Sequence, residues 1–339
     1  MNYVFPSTLA EAVDILAANA GRARVIAGGT DLAPMFRDGK IDASVLVDIT
    51  RIAGLGEIEI GDEWIVVGAA VTFAMLRDTP YFRERVPALA QAAASVGAAP
   101  IQAMATWLGN IAQAMPAADG GIVAVALEAE ALVEDPAGSR WVPVETLYKG
   151  AKTSSLDSTR QLLSHLRFPR PRAGWASSWQ RSGRRPSLTL PILNCAVTLR
   201  LAPLATPQAQ AATAGLATTQ AHAAPAMLAA PQAPAASAPA AAPEGAAPSA
   251  TIASATIALG PVATLPFRAR GVEAFLAGKT PDNYVIEEAA ALATSECHPR
   301  SNPLRASGDY RSALIPTLVG KALREARDRA IATMVREQQ

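Results

Sequence analysis

The sequence predicts an α+β fold of about two domains, and three observations predict it. The chain has 339 residues, half of them apolar, which is ample for real cores. Stretches with apolar residues at helical spacing alternate with short strand-like apolar runs. One tract, 203–249, differs in composition from everything around it and splits the C-terminal half.

The elements follow in order. Thr8 to Glu11 has the spacing of a capping box, and Leu9, Ala12, Val13, Leu16 and Ala17 recur at helical spacing, so the first element is an amphipathic helix. It packs on a strand from Arg24 to Ala27. A second apolar run, Ser44 to Ile49, completes a small β-α-β unit reaching about residue 53, with a glycine loop closing its middle strand. From Ile58 to Val71 the pattern is a hairpin turning at Gly61-Asp62. Helical stretches at Phe73 to Leu76 and Val86 to Val96 come next, then a helix near 119–127, a strand from Ala131 to Glu134 and a turn at Asp135 to Gly138. The basic, proline-rich segment Arg167 to Arg172 marks a boundary near residue 170.

Ser177 to Arg185 leads into a strand, Leu190 to Leu201, carrying Ile192, Cys195, Val197 and Leu199. Residues 203–249 are mostly alanine with scattered proline, glutamine and threonine. Such a tract buries too little surface to offset its ordering entropy, so a disordered insertion is expected. Thr251 to Leu259 is a strand that pairs with the 190s, which places the tract inside a hairpin. Helices at about 271–277, 283–294 and 307–330 follow, the last to be bent or reset by Pro316.

Two loops carry chemistry. In Arg24-Val25-Ile26-Ala27-Gly28-Gly29-Thr30-Asp31-Leu32, an apolar run ends in two glycines and two small oxygen-bearing side chains. Glycine there removes the Cβ that blocks a phosphate and tolerates a tight turn, which suits backbone amides to an anion. About seventy-five residues later, Thr106-Trp107-Leu108-Gly109-Asn110-Ile111 again sets a hydroxyl, a glycine and an amide together in a turn. Asp119 follows at the start of a helix, where its carboxylate can cap free N–H groups. Two such loops can grip one diphosphate from both sides.

Composition excludes several functions. The formal charge is +1, too little for a nucleic-acid footprint. No basic region followed by an apolar core opens the chain, and no run of about 18 apolar residues occurs, so a cytoplasmic chain without a membrane span is expected. The two cysteines, Cys195 and Cys297, have no CxxC or Cys/His spacing, so no iron–sulfur cluster or cysteine-rich zinc site belongs to this chain. The three histidines, His165, His222 and His298, form no ligand pattern, and the Cys297-His298 pair diverges on either helix or strand. Neither a cysteine- or histidine-rich metal site nor a Cys297 nucleophile is expected.

With both loops in hand, the chain resembles the FAD-binding medium subunit of the molybdenum hydroxylases, the family that includes xanthine dehydrogenase and carbon monoxide dehydrogenase. The resemblance covers nearly the whole length. It rests on Tyr3-Val4-Phe5-Pro6 followed by Glu11-Ala12-Val13, on Ala27 to Leu32, on Gly109-Asn110-Ile111 with Pro116-Ala117-Ala118-Asp119, and on Ala306-Ser307-Gly308-Asp309-Tyr310-Arg311, all in the family's order.

That resemblance implies a two-subdomain FAD-binding fold of the PCMH/vanillyl-alcohol-oxidase type over 1–170, with subdomains of about 1–53 and 54–170. A C-terminal α+β domain over 171–339, with a small antiparallel sheet and helices, would follow. Val25, Ile26, Ala27, Gly28, Gly29, Thr30, Asp31 and Leu32 would wrap the FAD diphosphate. Thr106, Gly109 and Asn110 would form the second wall, Asp119 would hydrogen-bond the ribose or ribityl side, and Val96 and Leu162 would pack near the cofactor. Gln180 stands where some relatives have a flavin-contacting lysine, and Leu108-Gly109 stands where the family has Gly-Gly.

The resemblance also implies partners: a large subunit with the molybdenum cofactor, a small subunit with two [2Fe-2S] clusters, and an external electron acceptor. The assembly would be built from heterotrimers. Two other readings stay open on the residues: a stand-alone FAD-dependent oxidoreductase of the same fold, and a flavin-free scaffold subunit.

Overall fold

The structure is a computed structural model and describes residues 2–185, 188–203 and 250–336. The Ala/Pro-rich tract expected to be disordered lies outside the described residues apart from Pro203.

Three parallel strands open the chain: β1 (Asn2–Val4), β2 (Ala23–Ile26) and β3 (Val45–Asp48). Helix α1 (Leu9–Ala18) joins the first two and α2 (Leu32–Arg37) follows β2; the start of α1 is fixed as its capping box predicts, with Thr8 Oγ1 accepting from the Glu11 amide and Glu11 reaching back to the Ser7 amide. The sheet order is β1-β3-β2, so the glycine loop closes an edge strand and β3 is the middle one. The expected β-α-β unit left out β1. Its addition on the far side of β3 makes β3 central, which fits the burial of all four β3 residues.

A five-stranded antiparallel sheet follows, in the order β4-β5-β10-β6-β7. Its strands are β4 (Ile58–Ile60), β5 (Trp64–Gly68), β6 (Glu130–Asp135), β7 (Gly138–Pro143) and β10 (Leu162–Pro169), while β8 (Tyr148–Gly150) and β9 (Thr153–Ser154) form a separate small ribbon. The two hairpin turns fall where predicted. The segment read as a boundary, Arg167 to Arg172, begins inside β10, the central strand of this sheet, which the sequence pattern did not mark as a strand. Its apolar positions, Leu163, Leu166 and Phe168, are buried and outweigh the arginine and proline signal.

Between β5 and β6 run α3 (Phe73–Asp78), α4 (Pro80–Arg85), α5 (Pro87–Ser95), α6 (Ala99–Gln102), α7 (Trp107–Ala112) and α8 (Asp119–Ala126). Every residue of α8 is buried, as a helix without a polar face requires. It is sandwiched between the first core and a four-stranded antiparallel sheet of β11 (Trp175–Ser182), β12 (Leu193–Pro203), β13 (Ala250–Gly260) and β14 (Phe267–Arg268).

Strand β12 is therefore buried on both faces. Ala196, with Ala258 of β13, joins the core containing α8, and Thr198 Oγ1 donates to Ala126 O at 3.1 Å. Cys195, Val197 and Leu199 alternate to the other face and join the core with α9 (Arg270–Leu276), α10 (Asn283–Glu296) and α11 (Gly308–Arg336). The expected pairing with the second strand is present, Pro203 opposing Ala250. Pro316 does not reset the last helix, which runs unbroken from Gly308 to Arg336. The burial of Ile315, Val319 and Leu323 against the sheet outweighs one missing backbone hydrogen bond.

Candidate functional site

The glycine loop after β2 and the segment before α7 face each other across a cleft of about 550 Å³. All of Val25 to Leu32 line it, as do Thr106, Gly109, Asn110, Val96 and Leu162. Residues scattered over the sequence are thus brought to one concavity by the three-stranded sheet on one side and the helical segment on the other.

The two glycines do different work. A Cβ on Gly28 would run into the backbone carbonyl of Met104, so this position lets the two loops touch. Gly29 holds φ +67° and makes the turn. Among the described residues, no hydrogen bond within the protein uses the amides of Gly28, Gly29 or Thr30. Donors in such a loop are suited to an anion. Asp31, at the rim, has its carboxyl pushed above the usual range by burial in the concave wall, an effect opposed by Lys152.

The second loop is not the turn that its residues suggested. Thr106 is the N-cap of α7, its Oγ1 accepting from the Gly109 amide at 3.2 Å, and Gly109 and Asn110 lie within the first turn of the helix. The hydroxyl at Thr106 stabilises a helix here instead of a loop, because the apolar Trp107, Leu108 and Ile111 are buried at helical spacing. Asn110 Oδ1 is buried without a hydrogen-bond partner. Trp107 offers no ring to the cleft: it is fully buried, its Nε1 donating to Gly120 O at 2.8 Å.

Asp119 does not cap α8. Its carboxylate lies away from the cleft lining and accepts from Asn194 Nδ2 at 2.6 Å and Arg181 Nε at 3.3 Å. Burial of the whole cluster pushes its carboxyl up to about 6, against the pull of Arg181 and the Asn194 hydrogen bond. Arg181 lies on β11 and Asn194 on β12, so tertiary contact draws the aspartate off its helix amides. Asp119 still adjoins the cleft, because a Cβ on its neighbour Gly120 would meet Asn110 Oδ1 at 2.5 Å.

Gln180 also lies outside the cleft lining. It is buried, with Nε2 at 3.5 Å from Ser178 Oγ. Strand alternation sends the next residue, Arg181, the opposite way, so the cation facing Asp119 is Arg181. Lys152, Ser158 and Gln161 line the cleft without having been singled out in the sequence. The signal for Lys152 was its place among small residues in the turn after β8, where it holds φ +60°.

The cysteines are inert. Both are free and buried, and burial raises the Cys195 thiol far above its ordinary range and the Cys297 thiol to about 12. No group of metal-ligating side chains occurs among the described residues.

Comparison with known proteins gives the family. Residues 1–171 match the model of the FAD binding domain in molybdopterin dehydrogenase, and residues 232–326 match the CO dehydrogenase flavoprotein C-terminal domain. The chain belongs to this flavoprotein family. It is 25% identical over 324 residues to the carbon monoxide dehydrogenase medium chain of Hydrogenophaga pseudoflava, covering 96% of each protein. It is 28% identical over 201 residues to a xanthine dehydrogenase FAD-binding subunit of Escherichia coli, covering 59% of this chain and 68% of that one. A solved structure of carbon monoxide dehydrogenase from Hydrogenophaga pseudoflava, a form lacking the Mo-pyranopterin moiety of its cofactor, superposes with a TM-score of 0.77 at 26% identity, covering 97% of this chain and 98% of that one.

Membership makes this chain an FAD-binding subunit of molybdenum hydroxylase-type oxidoreductases, and the residues present fit the cofactor. The unused Gly28, Gly29 and Thr30 amides and the orphaned Asn110 Oδ1 are features a bound dinucleotide would complete.

Proposed function

We propose that this chain is the electron-relay subunit of a multisubunit molybdenum hydroxylase, and that its cleft holds FAD between the glycine loop and the start of α7. The observation that carries the reading is the convergence of the glycine loop and the start of α7 on one cleft, with the Gly28, Gly29 and Thr30 amides unused within the protein among the described residues. Bound there, FAD supplies a two-electron store between one-electron [2Fe-2S] carriers on a small partner subunit and an outside acceptor. A large partner subunit carries the molybdenum cofactor and the substrate pocket.

The chain's own residues bind and orient. Amides from Val25 to Leu32 face the diphosphate, Thr106 holds the opposing helix start in place, and Val96 and Leu162 exclude water from the apolar wall. Asp119 acts on the cofactor side through its Gly120–Asn110 neighbourhood. The FAD-binding unit is 1–170, with subdomains of about 1–53 and 54–170, and the C-terminal unit is 171–339. Among the described residues no helix is long and apolar enough to cross a membrane, and a cytoplasmic setting is part of this proposal.

The test is the visible spectrum and metal content of the protein purified with its native partners. Absorbance near 450 nm together with molybdenum and iron in larger and smaller partner bands supports the relay. Flavin on a lone chain that turns over a substrate favours the stand-alone oxidoreductase, and absence of flavin after gentle purification overturns both.

A further inference from the structure

The cofactor cleft has two cations in its lining, Arg24 and Lys152, and the fold treats them differently. Arg24 donates through Nη1 to Gly21 O at 3.1 Å and to Ala23 O at 2.7 Å. The Lys152 ammonium enters no hydrogen bond or ion pair among the described residues. Neighbouring polar side chains of the same wall are engaged: Gln161 accepts from the Asp157 amide at 3.0 Å and donates to Asp135 Oδ2 at 2.9 Å, and Ser154 Oγ donates to Leu147 O at 3.1 Å.

The backbone of Lys152 is fixed in a conformation that does not suit lysine. It ends the turn Ala151-Lys152 between β8 and β9 at φ +60°, where glycine or asparagine is the ordinary residue. Its amide donates to Ala114 O at 3.0 Å, and Ala114, just past α7, itself holds φ +49°. Two residues other than glycine in the left-handed region thus tie the turn to the α7 wall of the cleft. Such a position is retained when the side chain it carries has a use.

The charge is felt on the opposite wall. Lys152 is the cation that pulls against burial at the Asp31 carboxyl. Asp31 directly follows Gly28, Gly29 and Thr30, whose amides no hydrogen bond within the protein uses among the described residues. A cation without a partner and three free N–H donors therefore come together beside Asp31.

We propose that Lys152 is a cofactor-affinity residue, a point charge carried by the β8–β9 turn that offsets the anionic diphosphate of FAD held on the glycine-loop amides. The inference rests on FAD occupying this cleft. Lysine suits the task because its ammonium is a compact charge on a flexible stem and needs no fixed fork geometry. Peptide amides alone leave the diphosphate charge uncompensated, and Asp31 adds a charge of the same sign, so a nearby ammonium strengthens binding.

The experiment is titration of the flavin-stripped complex with FAD, followed by quenching of flavin fluorescence, at low and high salt (about 0.05 M and about 0.3 M NaCl), on wild type, Lys152→Gln, Lys152→Arg and Lys152→Gly. Lys152→Gln is expected to weaken FAD binding about tenfold at the lower salt and clearly less at the higher, where screening removes what the charge contributes. Lys152→Arg keeps the charge and should stay within about threefold of wild type. Lys152→Gly should bind FAD as weakly as Lys152→Gln, while the flavin-free protein melts no lower than wild type because glycine accepts the positive φ. A lysine that served the turn alone would give the reverse, with glycine leaving FAD affinity intact.

The proposal is overturned if Lys152→Gln binds FAD within about twofold of wild type, or if its loss is the same at both salt concentrations. Lys152→Gln decides the matter if the glycine variant does not fold. A wild-type complex that takes up no FAD overturns the cofactor reading and this proposal together, whereas equal binding by wild type and variants overturns this proposal alone.

Discussion

The cofactor cleft and the Asp119–Arg181–Asn194 cluster adjoin through Asn110 and Gly120, yet they are built in opposite ways. The glycine loop of the cleft is backbone and small side chains, with the Gly28, Gly29 and Thr30 amides left unused and Gly28 where the loop meets Met104. The cluster is charged side chains with almost no exposure, 10% for the Arg181 side chain and 7% for that of Asp119. A site that accepts an external anion must keep its donors free and its walls thin. A join between two sheets can spend its charges internally, at the cost of burying them.

Arg181→Met sharpens the difference most. It strands a buried carboxylate and removes the donor to Thr189 O, so unfolding stability should fall by about 3–5 kcal/mol in denaturant titrations near pH 8, and by less near pH 5 where Asp119 takes a proton. An equal loss at both pH values would show that the pair carries no buried charge.

Asp119 gives the next largest effect. Its folded pKa of about 6 exceeds the unfolded carboxylate value, so the folded state holds the extra proton between about pH 4 and pH 6. Its stabilising contribution is complete below about pH 4 and is lost as pH rises through 6, a change of about 3 kcal/mol. Asp119→Asn should flatten that part of the stability–pH profile, and an unchanged slope would place the titration elsewhere.

Gly28→Ala tests the cleft. The new methyl meets a backbone carbonyl that cannot swing aside, so we expect a loss of about 1–3 kcal/mol and little bound FAD by absorbance at 450 nm. Gly29→Ala meets only the flexible end of Ile26 and should cost about 1–2 kcal/mol through its positive φ, with more FAD retained. If the two variants retain FAD equally, close approach is not what Gly28 provides. Thr106→Ala, losing one helix cap, should lower the melting temperature by the equivalent of about 1 kcal/mol, with Thr106→Ser restoring it.

Local signals in the sequence marked most of these elements. The capping box at Thr8, the hairpin turn at Asp135 to Gly138 and the split pair of C-terminal strands stand where their residues put them. The order of strands was not legible, because β1 and β3 pair across a helix and a second strand, and nothing near Asn2 says which strand it will join. Strand β10 was hidden for a similar reason: Arg167 and Pro169 at its end read with the following residues as a boundary, and only the neighbours on both sides make it central.

The sequence by itself determined that this chain has two segments suited to a diphosphate, cores large enough to hold them, and too few cysteines to keep an iron–sulfur cluster. Those properties follow from residue type and spacing, which act over a few ångströms of chain. Tertiary structure alone decided that Gly28 faces Met104, that Thr106 caps a helix, that Lys152 reaches the cleft, and that Asp119 turns to Arg181 rather than to its own helix. Each depends on which distant backbone arrives at a given point, and a buried carboxylate goes to the partner that best offsets its lost hydration.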